Sequence, residues 1–524
     1  RLLLTADRGT TWQDLSPDLT RNQTHWKSLA LGDGIPLRDS TTPSRDDGTG
    51  QYGNITTISE SPRAAGTLYV GTDDGNVQMT TDGGAHWTNL TPRFHLAAPH
   101  WVTAVVASRF DARTAYVTFD GHTDDDLTPY VFKTTDGGAT WASIAGDLPS
   151  GTPVKTLSED PRNPRLLFAG TEFGLYWSFD GGRHWRFPGG SLPRVMVYRI
   201  VVDTANNDLT RGTYGRGAII LDDIRPLEAT DSAASAAVLR LFPLRDATEF
   251  YQWRDQPLAG LRQFRAPNAP VGALISYAIA EPAPGGARPD SSVRIRIAAP
   301  DGSIVRELSG PGSPGLHRVL WDLRTAYAFT PQPSDSGFYG APRAPYVAPG
   351  RYTIRVTAHG VTQAQPVVVR ADPVARSTPD GLRARQAMSA AIDSLSRAFR
   401  DGKRALGLAD TAVAHAKAQL EHHAPAGAAD SLIRRISAQL AAIHRGFGEE
   451  YGTAIGNAYD LLGGLEGSSF TPTQAEQRAL DASTAALRKT IETLNGILTT
   501  ELPQLRAALA QVPPPAITPV VLPP

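Results

Sequence analysis

One short pattern constrains this chain more than any other feature, because it recurs four times. The pattern is Ser/Thr-x-Asp-x-Gly-x-x-Trp, and its copies carry Asp7, Asp82, Asp136 and Asp180 at the third position and Trp12, Trp87, Trp141 and Trp185 at the last. An Asp side chain accepts hydrogen bonds from the N–H groups of a turn, and Gly supplies a positive φ there. The pattern therefore predicts four hairpin turns in which each Asp is structural and each Trp fills the gap between neighbouring sheets.

The segments between these turns repeat as well. The stretch that begins with Glu60-Ser-Pro-Arg63 parallels the one that begins with Glu159-Asp-Pro-Arg162, and both lead into a short apolar run. A fifth, incomplete copy runs from Leu209 to Asp223 and lacks the Trp. Units of about 45–55 residues made of short β-rich runs are typical of propeller blades, which are four-stranded antiparallel sheets.

The turns and their order resemble a known family. Each turn resembles the Asp-box (bacterial neuraminidase) repeat, and their order resembles bacterial proteins related to the sortilin N-terminal propeller, usually labelled glycosyl hydrolases. The segments that carry this resemblance are Ser16–Thr20, Gly71–Gln78, Phe119–His122, Pro129–Lys133, Gly170–Tyr176 and Gly215–Asp223. The resemblance covers residues 1–228 and implies a secreted, periplasmic or cell-surface propeller. We expect this propeller to be incomplete and to be closed by a missing N-terminal portion or by another chain.

Beyond residue 228 the pattern changes twice. Residues 229–376 are predicted to form a linker and an immunoglobulin-like β-sandwich, because runs such as Val293–Ile297 alternate apolar residues with Arg. Residues 377–511 are predicted to form an antiparallel helical bundle that starts at Thr378-Pro379, and residues 512–524 form a Pro-rich tail. The predicted fold class is mainly β: a partial Asp-box β-propeller followed by a β-sandwich and a C-terminal α-helical bundle.

Composition excludes several classes of function. The 524 residues include no Cys, which rules out disulfides, Cys-ligated metal sites and a Cys nucleophile. A formal net charge of −1 argues against a nucleic-acid partner held by bulk charge. No apolar run reaches about 18 residues, so no transmembrane helix is expected.

The loops between the second and third strands of successive blades are predicted to converge on one rim. The insertion from Asp120 to Tyr130 is the longest of these loops, and long loops on rigid scaffolds are often functional. The predicted binding rim consists of Asp73, Asp74, His122, Asp124, Asp125, Asp126, Glu172, Phe173, Tyr214 and Arg216.

Two kinds of chemistry could use this acidic rim. Three adjacent carboxylates in the insertion could bind Ca²⁺, although no EF-hand pattern is present and the general expectation is no cofactor. A glycoside hydrolase would need two carboxylates at a defined separation, and Asp74, Asp125 and Glu172 are the candidates. A sialidase would need a Tyr nucleophile and an Arg cluster, but Tyr214 and Arg216 stand nearly alone.

The absence of an evident catalytic constellation favours a binding protein. The predicted function is a secreted or periplasmic propeller protein that binds a peptide, glycan or partner protein within a cell-envelope or surface assembly. The alternative is a glycoside hydrolase that acts on a polysaccharide through paired rim carboxylates. A third interpretation is a structural subunit of an oligomer or larger complex, because exposed apolar faces seek partners.

Overall fold

A computed structural model of the chain shows a mainly β protein with a helical C-terminal region. It describes residues 1–21, 53–190, 192–229, 238–250, 271–280, 292–326, 344–375, 377–421, 427–445, 447, 461–466 and 471–509. Most of the predicted linker and the whole Pro-rich tail 512–524 lie outside these residues. The chain divides into two compact units, Arg1–Ala237 and Val238–Pro524. No helix within the described ranges has the length and apolar character needed to cross a bilayer.

The first unit consists of small antiparallel sheets in which each strand pairs with the next one along the chain. The first two strands are β1 (Leu3–Leu4) and β2 (Gln13–Asp14). Two four-stranded sheets follow: β3 (Ile55–Glu60), β4 (Leu68–Thr72), β5 (Val77–Thr80) and β6 (Thr88–Asn89), then β7 (Trp101–Ala107), β8 (Ala115–Gly121), β9 (Asp126–Thr134) and β10 (Ala142–Ser143). Two three-stranded sheets complete the unit: β11 (Val154–Glu159), β12 (Leu167–Thr171) and β13 (Gly174–Ser178), then β14 (Val197–Asp203), β15 (Asp208–Thr213) and β16 (Ala218–Leu221). A short helix, α1 (Arg225–Glu228), follows.

The four repeated turns have the same hydrogen-bond pattern. In the second copy, the Thr80 hydroxyl donates to Asp82 at 2.8 Å and accepts from the Gly84 N–H at 3.0 Å, and Asp82 accepts from the His86 N–H at 2.9 Å. These hydrogen bonds lower the pKa of Asp82 well below its ordinary value. The Asp of the repeat is therefore a turn-stabilising residue, because its oxygens are occupied by the turn itself.

The Trp that ends each pattern packs against the preceding sheet in the later copies. Trp185 is buried, and its indole N–H donates to the carbonyl of Ile144 at 2.9 Å. The prediction that Trp fills the gap between sheets holds there and fails for Trp12, which is 59% exposed. The difference arises because no described sheet precedes Trp12.

The first strands of neighbouring sheets contact one another, and each carries a β-bulge at the same place. The bulged residues are Thr56, Thr103, Lys155 and Tyr198. The Thr56 hydroxyl donates to the carbonyl of Val102 at 2.8 Å, and the Thr103 hydroxyl donates to the carbonyl of Val154 at 2.9 Å. In these two sheets the bulge thus supplies a hydroxyl that links one sheet to the next.

The second unit begins with two sheets that share one apolar core. One sheet contains β17 (Leu239–Leu241), β19 (Ala273–Ile279) and β22 (Gly315–Trp321). The other contains β18 (Ala247–Glu249), β24 (Val361–Ala371), β23 (Gly350–Ala358), β20 (Ser292–Ala298) and β21 (Ile304–Pro311). The predicted alternation in β20 is confirmed, because Val293, Ile295 and Ile297 are buried while Arg294 and Arg296 are exposed.

The helices of the second unit share a separate core. They are α2 (Pro379–Glu421), α3 (Gly427–Arg445), α4 (Gln474–Gly496), a π-helical turn (Ile497–Glu501) and α5 (Leu502–Leu509), and residues 461–466 are also helical. The predicted start of α2 is confirmed, since the Gly381 N–H donates to the Thr378 hydroxyl at 3.0 Å. The start of α4 is a capping box between Thr473 and Glu476.

Ion pairs join the sandwich to the helices within the second unit. Glu249 of β18 accepts from Arg385 of α2 at 2.9 Å, and both side chains are nearly buried. Arg324 binds Glu466 through two hydrogen bonds of 2.6 and 2.8 Å. Burial raises the pKa of Glu249 to about 7, opposed by the charge of Arg385 and assisted by that of Glu466.

Candidate functional site

The turns between the second and third strands of successive sheets are linked by contacts along one edge of the first unit. We call this edge, made of residues 72–77, 99–101, 120–130, 153–155, 171–174, 196–198 and 213–217, the rim edge. The backbone of Gly75 packs against Pro99 and His100, so closely that a Cβ on Gly75 would lie 2.9 Å from Pro99. At the far end, the Tyr214 N–H donates to the carbonyl of Met196 at 3.0 Å.

Lys155 lies at the centre of the rim edge and bridges two sheets. Its Nζ is 2.6 Å from Asp120 Oδ2, at the end of β8, and 3.0 Å from Glu172 Oε2, in the turn after β12. The side chains of Lys155 and Asp120 are each only 3% exposed, whereas that of Glu172 is 29% exposed. Because one ammonium contacts both carboxylates, their nearest oxygens lie within roughly 5–6 Å of each other, close to the separation in retaining glycosidases.

The ammonium of Lys155 is stabilised by its two carboxylate contacts. Burial alone would lower the pKa of Lys155, but the hydrogen bonds and charges of Asp120 and Glu172 outweigh it and raise the pKa. His122 Nδ1 lies 2.7 Å from Asp120 Oδ2 and 3.3 Å from Lys155 Nζ, so this nitrogen is engaged within the centre. The His122 side chain is 45% exposed, so Nε2 is the nitrogen available to a ligand.

Lys155 reaches this centre because of the bulge in β11. The equivalent bulged residues in β3 and β7 are the threonines that hydrogen-bond to the following sheet. Lys155 instead extends to the two flanking turns, and Tyr198, the equivalent residue in β14, is 55% exposed. Sequence reasoning missed Lys155 because its local sequence resembles that of an ordinary strand. Only an alignment of the four bulges could have indicated it.

His100 forms a second centre beside the insertion. Its Nε2 lies 3.2 Å from Asp126 Oδ2, and its Nδ1 lies 3.9 Å from Asp124 Oδ2. The imidazole stacks on Tyr130, whose hydroxyl donates to Asp126 at 2.7 Å. Asp125 lies beside them in a left-handed conformation, with φ 58°, and its N–H donates to the carbonyl of His122. Sequence reasoning also missed His100, which precedes a strand and matches no motif.

Asp73 and Asp74 do not present their carboxylates at an open surface. Asp73 is buried and accepts hydrogen bonds from the N–H groups of Gly53 and Asn54 at 2.9 and 2.7 Å. Asp74 is buried as well and accepts from the Arg21 N–H at 2.7 Å. Their oxygens stabilise neighbouring backbone. The carboxylate that shares the Lys155 ammonium with Glu172 belongs to Asp120, which is not among the three hydrolase candidates chosen from the sequence.

The remaining predicted rim residues are exposed. Phe173 follows Glu172 and is 50% exposed, and Tyr214 is 72% exposed. The rings of Tyr198 and Tyr214 lie 6.3 Å apart, next to the exposed Arg199 and Arg216. The rim edge thus has an acidic part, around His122–Asp126, and an aromatic and basic part, around Tyr198–Arg216. Across the ranges that the structure describes, no three His, Asp or Glu side chains form a group suited to a metal ion.

Comparisons with known proteins give partial likenesses. No protein-family model and no curated protein matches the chain. A GH74 xyloglucanase from Xanthomonas campestris is 17% identical, with a TM-score of 0.28, over 60% of this chain and 45% of that one. The GH74 enzyme of Niastella koreensis is 13% identical, with a TM-score of 0.27, over 61% and 47% of the two chains. YCF48 bound to D1 peptide is 13% identical, with a TM-score of 0.25, over 60% and 81%. The chain spans less than half the length of either GH74 enzyme.

Proposed function

We propose that the rim edge is the binding site of a non-catalytic protein whose ligand is a peptide, a glycan or a partner protein. The observation that carries this proposal is the position of Lys155 between Asp120 and Glu172. The Lys155 ammonium thus holds one oxygen of each carboxylate in an ion pair. A glycosidase needs a carboxyl group that is free to protonate the leaving group, and here both candidates are bound by the same ammonium, so this centre is better suited to binding than to acid catalysis.

The groups around this centre are suited to contact a ligand. Glu172 and His122 are partly exposed and can accept hydrogen bonds. The exposed Phe173 beside Glu172, and the Tyr198–Tyr214 pair further along, offer aromatic faces for stacking. Buried aromatic anchors surrounded by polar groups dominate the energy of most interfaces, and these rings would become buried when a ligand is seated. A cell-envelope or extracellular location is part of the same proposal.

A binding screen tests this function. The purified chain should bind saturably to at least one member of a panel that holds xyloglucan, β-glucan and sialoside oligosaccharides and a random peptide library. Phe173→Ala and Tyr214→Ala should each weaken that binding by about tenfold, because a central aromatic side chain contributes about 1–2 kcal/mol.

Trp12→Ala is the matched control, since Trp12 is also an exposed aromatic residue but ends one of the repeated turns. It should leave binding unchanged. The proposal fails if no member of the panel binds, or if Trp12→Ala weakens binding as much as Phe173→Ala does.

A second candidate, a glycoside hydrolase, is favoured by one specific observation, the short separation of the Asp120 and Glu172 carboxylates. The test is turnover of the same polysaccharides by the native chain and by Asp120→Asn and Glu172→Gln. Turnover that falls by about a thousandfold or more in either variant would establish this function instead. The binding function predicts no turnover by any of the three.

A further inference from the structure

His100 is buried in an unusual way for an imidazole. Its side chain is only 3% exposed, and Nδ1 has no hydrogen-bond partner among the residues that the structure describes. Nε2 faces Asp126 at 3.2 Å, so that nitrogen already has an anionic neighbour. A buried polar atom without a partner is costly, and its presence calls for an explanation.

His100 Nδ1 lies near the Asp124 carboxylate but beyond hydrogen-bond distance. Asp124 Oδ2 lies 3.9 Å from His100 Nδ1, about 1 Å beyond an ordinary hydrogen bond. The Asp124 side chain is 60% exposed and lies at the end of a single turn of 3₁₀ helix, His122–Asp124. A modest shift of this turn would bring the two groups together.

Protonation would supply the missing donor. Neutral imidazole has one N–H, whereas imidazolium has two, so only the protonated ring can donate to Asp126 and Asp124 together. The hydrogen bonds from Thr128 and Tyr130 outweigh burial and lower the pKa of Asp126, so its charge is present across the range in which histidines titrate.

The other ionisable groups near His100 are committed elsewhere. Tyr130, stacked on the ring, donates its hydroxyl to Asp126. Asp120 and His122 bind each other, and Asp120 also binds Lys155. In the turn that packs on the His100 backbone, Asp73 and Asp74 accept from backbone N–H groups. Asp124 and Asp126 are thus the anions positioned to form ion pairs with a protonated His100.

We propose that His100 is a pH-responsive residue that, when protonated, draws Asp124 inward and orders the His122–Asp126 turn of the rim edge. The inference rests on the proposed binding function, because this turn carries the half-exposed His122 and the acidic part of the rim edge. Acidification then holds the turn against the sheet, and neutral pH releases Asp124 to solvent. Binding at the rim edge would therefore depend on pH through the position of this turn.

Hydrogen exchange of the free chain tests the proposal without any ligand. Backbone amides of residues 122–126 should exchange about twofold to fivefold more slowly at pH 5.5 than at pH 7.5, after correction for intrinsic rates, as expected for one added ion pair. Asp124→Asn should remove this difference, and His100→Gln should remove it as well. Since Asp124 is exposed, its variant should fold even if the variant of the buried His100 does not.

Asp125→Asn is the control, because it removes the adjacent exposed carboxylate without touching the His100 site. It should keep the native pH difference. The proposal is wrong if the native chain shows no difference, if the difference survives in Asp124→Asn, or if Asp125→Asn abolishes it. These outcomes are independent of the ligand screen, so failure of the pH response and failure of the binding function can be told apart.

Discussion

Four sheets of the first unit have a β-bulge at the same place in their first strand, and the bulged residue is Thr in two sheets and a longer side chain in the other two. In β3 and β7 the residue is Thr, whose hydroxyl donates to the backbone of the next sheet. In β11 and β14 it is Lys155 and Tyr198, whose side chains face the turns of the rim edge. The same bulge thus links neighbouring sheets in the first pair and directs longer side chains to the rim edge in the second. Within this repeat, the two sheets in which the bulged residue is not Thr are those that supply side chains to the candidate site.

The largest effect is expected from Lys155→Met, which removes the ammonium that distinguishes the bulge of β11 from those of β3 and β7. It leaves the Asp120 carboxylate buried with only His122 beside it. Removal of one partner from a buried ion pair costs about 3–5 kcal/mol, and we expect a loss of this size in the free energy of unfolding of the first unit. Urea denaturation measures it.

The double variant Lys155→Met with Asp120→Asn removes both charges and should recover a large part of that loss. If Lys155→Met is as stable as the native chain, then the ammonium is not a structural partner of Asp120, and the contrast with the threonines has another cause.

Glu249 extends the comparison to a buried carboxylate in the second unit. Burial raises its pKa to about 7, above its ordinary value of 4.5, so its contribution to stability is complete below about pH 4.5 and is lost as the pH rises through 7. The free energy of unfolding of the second unit should fall by on the order of 3 kcal/mol between these limits.

Glu249→Gln should flatten this dependence, measured as denaturation midpoints at pH 5 and pH 8. The exposed pair Arg296–Glu307 supplies the control, because Glu307→Gln should leave the pH dependence intact. Equal slopes in native and Glu249→Gln chains would show that Glu249 remains charged across the range.

Arg211 allows a similar comparison between sheets, at an equivalent position in the second strand of each. It lies one residue before Gly212 in β15, where the other second strands carry Val70, Val117 and Ala169. The side chain is buried, and within the described part of the chain none of its three guanidinium nitrogens has a hydrogen-bond partner. Arg211→Val should therefore raise the free energy of unfolding, by about 1–3 kcal/mol, as measured by urea denaturation. A loss of stability would mean that this guanidinium has a partner of its own.

The smallest effect is expected from Thr103→Val. The variant keeps the shape of the bulged residue and removes the hydroxyl that donates to Val154. A net loss of about 1 kcal/mol is expected in the same denaturation assay, the usual value of one hydrogen bond. Tyr198→Phe is the matched control and should be neutral, because the Tyr198 side chain is exposed. If Thr103→Val leaves the free energy of unfolding unchanged, the hydroxyl at the bulge does not stabilise the contact between neighbouring sheets.

Much of the fold could be predicted because it depends on local rules. The four repeated turns, the alternation in β20 and the helix start at Thr378 all follow from side chains that act on their own neighbourhood. The buried stripe Leu480, Leu487, Ile491 and Leu494 follows from helical spacing in the same way. Each of these signals lies within a few residues of the structure it specifies.

The candidate site was only partly predictable, because its contacts are long-range. The sequence singled out the rim loops as candidates, but it did not indicate that Asp73 and Asp74 are buried and accept hydrogen bonds from Gly53 and Arg21. Lys155 and His100 were missed because their partners lie 35 and 26 residues away in the sequence. Nothing near Lys155 in the sequence indicates that a bulge turns it toward Asp120.

The sequence by itself determined the repeated hairpins, the mainly β character and the helical C-terminal region, since turn chemistry and hydrophobic period act locally. Only the tertiary structure decided which charged groups meet, because that depends on how one sheet stacks on the next. Backbone N–H groups of Gly53 and Arg21 bind the carboxylates of Asp73 and Asp74. Glu172 and His122 instead stay partly exposed near Lys155. Carboxylates in equivalent turns are thus structural or accessible according to the backbone that contacts them.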